Sequence, residues 1–168
     1  MTTRLPHVNV RRSLAVAALV LTAPVLSSCG VGFGAQTDQV YNPAAGVDVH
    51  SGSVDVLNAL IVSGTDGSGT VIATLVNNDQ VNNDTLRGVA GAGADSSLKV
   101  TPGGKTAIPA GGLLNLATDG YIVARGDRVK PGNFVDITFS FDRGQAITLK
   151  APVVDASDPV YKDVKVPS

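Results

Sequence analysis

The chain has 168 residues, with 13 basic and 14 acidic side chains, three Tyr, four Phe and no Trp. That length holds about one domain, and a core built with so few rings must come from Val, Ile, Leu and Ala, of which the branched ones favour strands. Every acidic residue is Asp and three basic ones (Arg4, Arg11, Arg12) precede position 29, so the remainder sets ten basic residues against fourteen Asp, a net charge of −4, which excludes a basic field for nucleic acid.

Arg11 and Arg12 lead into an apolar run from Leu14 to Val25, followed by Leu26-Ser27-Ser28-Cys29-Gly30. The run is too short to span a bilayer. A positive start, a short apolar stretch and small residues before a cut are the parts of a secretory signal, so residues 1–28 are expected to be removed. The Leu-Ser-Ser-Cys sequence resembles the lipobox of bacterial lipoproteins. That resemblance implies a diacylglyceryl group on the Cys29 sulfur, which is the nucleophile such chemistry needs. Two acyl chains would hold the protein durably on the extracytoplasmic face of the cell membrane. An ordinary secretory signal that happens to contain a Cys is the alternative, and the Arg pair leaves general or twin-arginine export open. Cys29 is the only cysteine, so no intramolecular disulfide can form.

Residues 29–46 are small, polar or turn-forming and read as the lipidated Cys followed by a flexible tether, with a reach on the order of 20 Å. Strands are expected at Val47 to His50, Ser53 to Val62, Gly69 to Asn77, Thr85 to Ala90, Ser97 to Thr101, Leu113 to Ala117, Tyr121 to Ala124, Phe134 to Phe141 and Ala146 to Val154. The clearest alternation, Val135-Asp136-Ile137-Thr138-Phe139-Ser140-Phe141, is followed by Asp142-Arg143-Gly144 and a second alternating run, which spells a hairpin. Many short strands separated by turns predict an all-β, antiparallel immunoglobulin/cupredoxin-like sandwich over 47–154. Residues 155–168, with two Pro and scattered charge, are expected to be an unstructured tail.

Among motifs, Asn77-Asn78-Asp79 recurs as Asn82-Asn83-Asp84. Such oxygens suit a hard cation, which makes Asp79 and Asp84 weak metal candidates, although Asn and Asp also build loops by bonding their own backbone. Arg125-Gly126-Asp127 is the tripeptide displayed by integrin ligands and would serve a surface adhesin, but the same stretch reads as an ordinary loop. Gly103-Gly104-Lys105-Thr106 lacks the upstream glycine of a phosphate loop, and Gly88, Gly91 and Gly93 are not followed by a helix pattern, so no nucleotide is expected. Beyond Cys29 the chain has one His, no Glu and no Gly-x-Ser-x-Gly. A Ser nucleophile would depend on His50, which lies just past the tether, so no enzyme is expected.

The stretches Asp84-Thr85-Leu86-Arg87-Gly88-Val89, Ile108-Pro109-Ala110-Gly111-Gly112, Gly120-Tyr121-Ile122-Val123-Ala124 and Val135 to Phe141 together resemble the PCu(A)C-like copper chaperone family across about residues 70 to 154. The resemblance implies a cupredoxin-like β fold. It also implies a Cu(I) site of His and Met, including a His-x-Met pair directly after the Gly-Tyr. In this chain those former ligand positions read Ile122 and Ala124, and an upstream Met position falls near Val100. There is no Met after Met1 and no His after His50. Cu(I) prefers thioether, thiolate or imidazole, which leaves His50 as the one soft candidate and no resident cofactor expected. The expected protein is thus a non-catalytic, lipid-anchored binding or accessory module with a partner in the cell envelope. Copper delivery to a membrane oxidase and adhesion through residues 125–127 are the alternatives.

Overall fold

A computed structural model describes residues 45–64 and 67–167. The expected signal peptide, Cys29 and nearly all of the tether lie outside the described residues. Ten strands follow in chain order: β1 (Val47–Ser51), β2 (Val54–Ser63), β3 (Ser68–Asn77), β4 (Asp84–Gly91), β5 (Lys99–Thr101), β6 (Ala107–Ile108), β7 (Leu113–Asn115), β8 (Ile122–Arg125), β9 (Phe134–Phe141) and β10 (Ile147–Asp155). Among the described residues the helical content is two single 3-10 turns, Gly93–Asp95 and Pro159–Tyr161.

The strands form one hydrogen-bonded sheet in the order β5-β8-β3-β2-β10-β9-β4-β6, with β1 also on β2 and β7 also on β3. The sheet curls around its main core. Val56, Ile61, Val71 and Leu75 enter that core from one half, and Leu86, Ile137, Phe139 and Leu149 from the other. In β9, Val135, Ile137, Phe139 and Phe141 are buried while Asp136, Thr138 and Ser140 between them are only half-buried, as the period of two requires. Residues Phe139 and Ile147 face each other at the head of the expected β9–β10 hairpin.

Two expectations need correction. The sheet is not wholly antiparallel: β10 runs parallel to β2, with Val153 opposite Ile61 and Asp155 opposite Ser63. The edge of β2 is divided, its opening residues paired with β1 and its last with β10. The change of partner comes at a bulge where Asn58 takes φ 51°, a left-handed conformation that Asn tolerates better than most residues.

The second correction concerns 155–168. Val154, Ala156, Tyr161, Val164 and Val166 pack on Leu60, Val62 and Ile72, which form a separate cluster on the outer face of β2 and β3. The Thr70 hydroxyl donates to the Lys165 carbonyl at 2.5 Å. Because Ala59 to Val62 is a continuous apolar run, that stretch of β2 has to be covered on both faces, and the C-terminal segment supplies the second cover.

Candidate functional site

Strand β8 follows a close backbone crossing. Tyr121 N–H donates to the Gly103 carbonyl at 2.9 Å and Lys105 N–H to the Asp119 carbonyl at 2.8 Å. Beyond the crossing, Val100 of β5 sits opposite Ala124, and Ile122 sits opposite Val71 of β3. The three positions at which the family resemblance expects ligands are therefore brought to one side of the sheet, and that side is the core. Ile122 is 2% exposed and Ala124 fully buried, while half-buried Val100 packs against the same cluster.

His50 lies elsewhere, on β1. The tight turn at Ser51 to Ser53 sets it opposite Asp55 of β2, with Nδ1 3.1 Å from Asp55 Oδ2 and the His side chain 68% exposed. A carboxylate only accepts, so this contact calls for a proton on Nδ1, and in the neutral ring Nε2 is then the acceptor. Burial alone would raise the Asp55 carboxyl; hydrogen bonds from the Asn78 side chain, His50 and the Ser51 backbone outweigh it and hold Asp55 below the usual carboxylate range. Nothing in the sequence singles out Asp55 by itself, although a two-residue turn after His50 would place it there.

The Asn/Asp pair of motifs proves to be a brace. Asp79 Oδ1 accepts from the amides of Val81 and Asn82 at 2.9 and 3.0 Å, and its Oδ2 accepts from the Asn82 side chain at 2.9 Å. The Asn77 side chain donates to the Asn82 carbonyl at 2.8 Å, and Asn83 Oδ1 accepts from Ala110 N–H at 2.9 Å. Asp84 accepts from four backbone amides, Thr85 at 2.6, Asp142 at 3.1, Arg143 at 3.0 and Gly144 at 2.8 Å. Both carboxylates are thus engaged by the loops they fold. Among the described residues no group of three or more His, Cys, Asp or Glu side chains is placed to hold a metal ion.

No protein-family model matches the chain, and no curated protein does. Among solved structures it is similar to the copper-bound PCuAC domain from PmoF2, with a TM-score of 0.53 and 14% identity over 65% of this chain and 98% of that one. It is similar also to the apo PCuAC domain from PmoF1, at 0.53 and 18% over 65% and 99%. The apo PmoF2 PCuAC domain gives 0.50 and 16% over 66% and 97%. The domain has a PCuAC-like fold.

Within this PCuAC-like domain the Arg-Gly-Asp tripeptide straddles a strand end. Arg125 is the last residue of β8, opposite Ser68 and Lys99, and Gly126 N–H donates to the Gly67 carbonyl at 3.1 Å. Asp127 is exposed in the following turn. The next residue, Arg128, reaches the buried Asp95 carboxylate at 3.4 Å and the Phe134 carbonyl at 2.8 Å. The first two residues of the tripeptide therefore lie at the end of β8, between β3 and β5, rather than at a loop apex.

Proposed function

We propose that the chain is a lipid-anchored, extracytoplasmic accessory lipoprotein, held to the membrane through Cys29. Its PCuAC-like domain serves a partner in the cell envelope without catalysis and without a His/Met copper site. One observation carries this reading: the two positions that the family resemblance assigns to a His-x-Met pair hold Ile122 and Ala124, and both side chains are spent on the core. Residues so placed supply packing rather than ligands. The test is titration of Cu(I) and Cu(II) into protein carrying Cys29→Ser, which removes the only thiol. The expected result is no tight one-to-one complex, and such a complex would overturn the proposal.

A second reading, copper delivery to a membrane oxidase, is favoured by the His50–Asp55 contact. A carboxylate that orients an imidazole and leaves its other nitrogen exposed is the usual support of a metal-binding His, and the PmoF2 domain of similar fold is copper-bound. In this reading His50 supplies one ligand and the receiving protein the others. If His50→Ala leaves every trace of copper binding unchanged, the reading fails.

A further inference from the structure

Between the loop leading into β8 and the C-terminal segment lies a cleft of about 600 Å³. Thr118, Asp119 and Tyr121 line it from the loop, Asp163 and Lys165 from the C-terminal segment, and Thr70 from β3. Ligand sites commonly hold about 300–1,000 Å³, and both walls of this one are fixed before anything binds.

The loop wall is fastened by the backbone crossing at Gly103 to Lys105. A side chain at Gly103 would put its Cβ 2.6 Å from the Tyr121 carbonyl, and one at Gly104, where φ is +80°, 2.5 Å from the Asp119 carbonyl. Glycine at both positions is therefore what lets the two segments cross. Lys105 Nζ adds an ion pair to Asp119 Oδ1 at 2.9 Å. The opposite wall is held by the Thr70 bond to the Lys165 carbonyl and by the apolar side chains of Tyr161, Val164 and Val166 beneath the segment.

The lining decides what fits. Tyr121 is 37% exposed and lines the cleft, and an aromatic ring takes flat apolar groups. Around it stand carboxylates that only accept, an ammonium that only donates, and threonine hydroxyls whose hydrogens already go to the Lys165 and Asn115 carbonyls and which are left to accept. The lining itself carries two carboxylates and one ammonium, and the charge of Asp119 is offset from outside the lining by its ion pair with Lys105, which leaves Asp163 and Lys165 as one group of each sign facing the cleft. Two carboxylates in the lining oppose phosphates and other polyanions, and Lys165, with Lys105 already paired to Asp119, opposes polyamines. A neutral ring with one apolar face and a rim of hydroxyls, each both donor and acceptor, meets every element of this lining.

We infer that this cleft binds a neutral saccharide, stacked on Tyr121 and hydrogen-bonded to Asp119, Asp163 and Lys165. The inference concerns a surface away from the Ile122 and Ala124 side chains and away from His50. It stands or falls independently of the anchor and of copper.

The test is calorimetric titration of the full chain with chitotetraose and with maltotetraose, using spermidine and inorganic phosphate as charged controls. At least one oligosaccharide is expected to bind with a dissociation constant of about 0.1–1 mM, and neither control is. Tyr121→Ala should weaken that binding about tenfold or more, Lys165→Ala should weaken it several-fold, and Tyr121→Phe, which keeps the ring, should retain most of it. The circular dichroism of each variant reports whether it is folded. If Tyr121→Ala does not fold, Tyr121→Phe and Lys165→Ala carry the test: binding unchanged in Lys165→Ala would sink the assignment. It would also be overturned by the absence of saccharide binding at about 10 mM, by oligosaccharide binding that survives Tyr121→Ala, or by preferential binding of spermidine or phosphate.

Discussion

Asp84 and Gly144 are 60 residues apart in the chain, and the Gly144 amide donates to Asp84 Oδ2 at 2.8 Å. With the amides of Asp142 and Arg143 on Oδ1 of the same carboxylate, this contact moulds the β9–β10 turn onto the start of β4. Asp84 is 3% exposed. Burial on its own would raise its carboxyl, but the backbone donors outweigh it and hold Asp84 below the ordinary range. A depressed folded-state value stabilises the fold above the ordinary carboxylate pKa of about 4, and that contribution is lost as pH falls through the folded value. Asp84→Ala, which strands buried amides, should cost about 3 kcal/mol in urea unfolding at pH 7. The gap from the parent should narrow at pH 3 and below. Equal stability at pH 7 would mean that water replaces the carboxylate without loss.

At β8 the prediction is structural. Ile122→His puts an imidazole where no polar partner waits, and should cost about 2–4 kcal/mol. Adding Ala124→Met overpacks the same layer at about 1–3 kcal/mol more. Thermal melting reads both. A double variant that melted with the parent and bound Cu(I) tightly would show that these side chains can turn outward.

Much of this architecture is legible in the sequence, for a physical reason that varies along it. Alternation in β9 and β10 fixes which face is buried, because a shift of one residue would expose every apolar side chain. Ile122-Val123-Ala124 carries no such phase: all three are apolar and all three are buried, so whether the first and third face solvent or core cannot be read from them. β6 has no local signal because Ala107 and Ile108 are a strand only by virtue of partners far away, Thr85 and Asp84. The C-terminal segment reads as a tail because Tyr161, Val164 and Val166 are scattered among Lys and Asp. Their meaning lies in the outer face of β2 and β3, where they cover Leu60, Val62 and Ile72. The cleft leaves no signature at all, since Tyr121, Asp163 and Lys165 meet only through the fold.

Stopping the chain after Asp158 should therefore expose Leu60, Val62 and Ile72. Full burial of such side chains is worth about 1.5–3 kcal/mol each, so the shortened protein should melt well below the parent and bind a hydrophobic dye. An unchanged melting temperature would show that the segment contributes nothing to the fold.

The proposed anchor makes a separate prediction. Labelled palmitate fed to expressing bacteria should appear in the parent and be absent from Cys29→Ser, with the variant leaving the membrane fraction. Label retained without the thiol would place the lipid elsewhere, and a parent without label would remove the anchor altogether.

The divided edge of β2 also has a mechanical meaning. Val47 lies opposite Ala59 and Ser51 opposite Val54, so the β1–β2 hairpin opens at the Val47 end. Any tug arriving through residue 45 loads that open end, where hydrogen bonds break in succession instead of sharing the load. Asn58 stands there as a latch: its Oδ1 accepts from Gly46 N–H at 3.0 Å, and its own amide donates to Asp48 Oδ1 at 2.6 Å. A load at that end therefore meets these two bonds together with the Val47–Ala59 pairing before it reaches the rest of the hairpin.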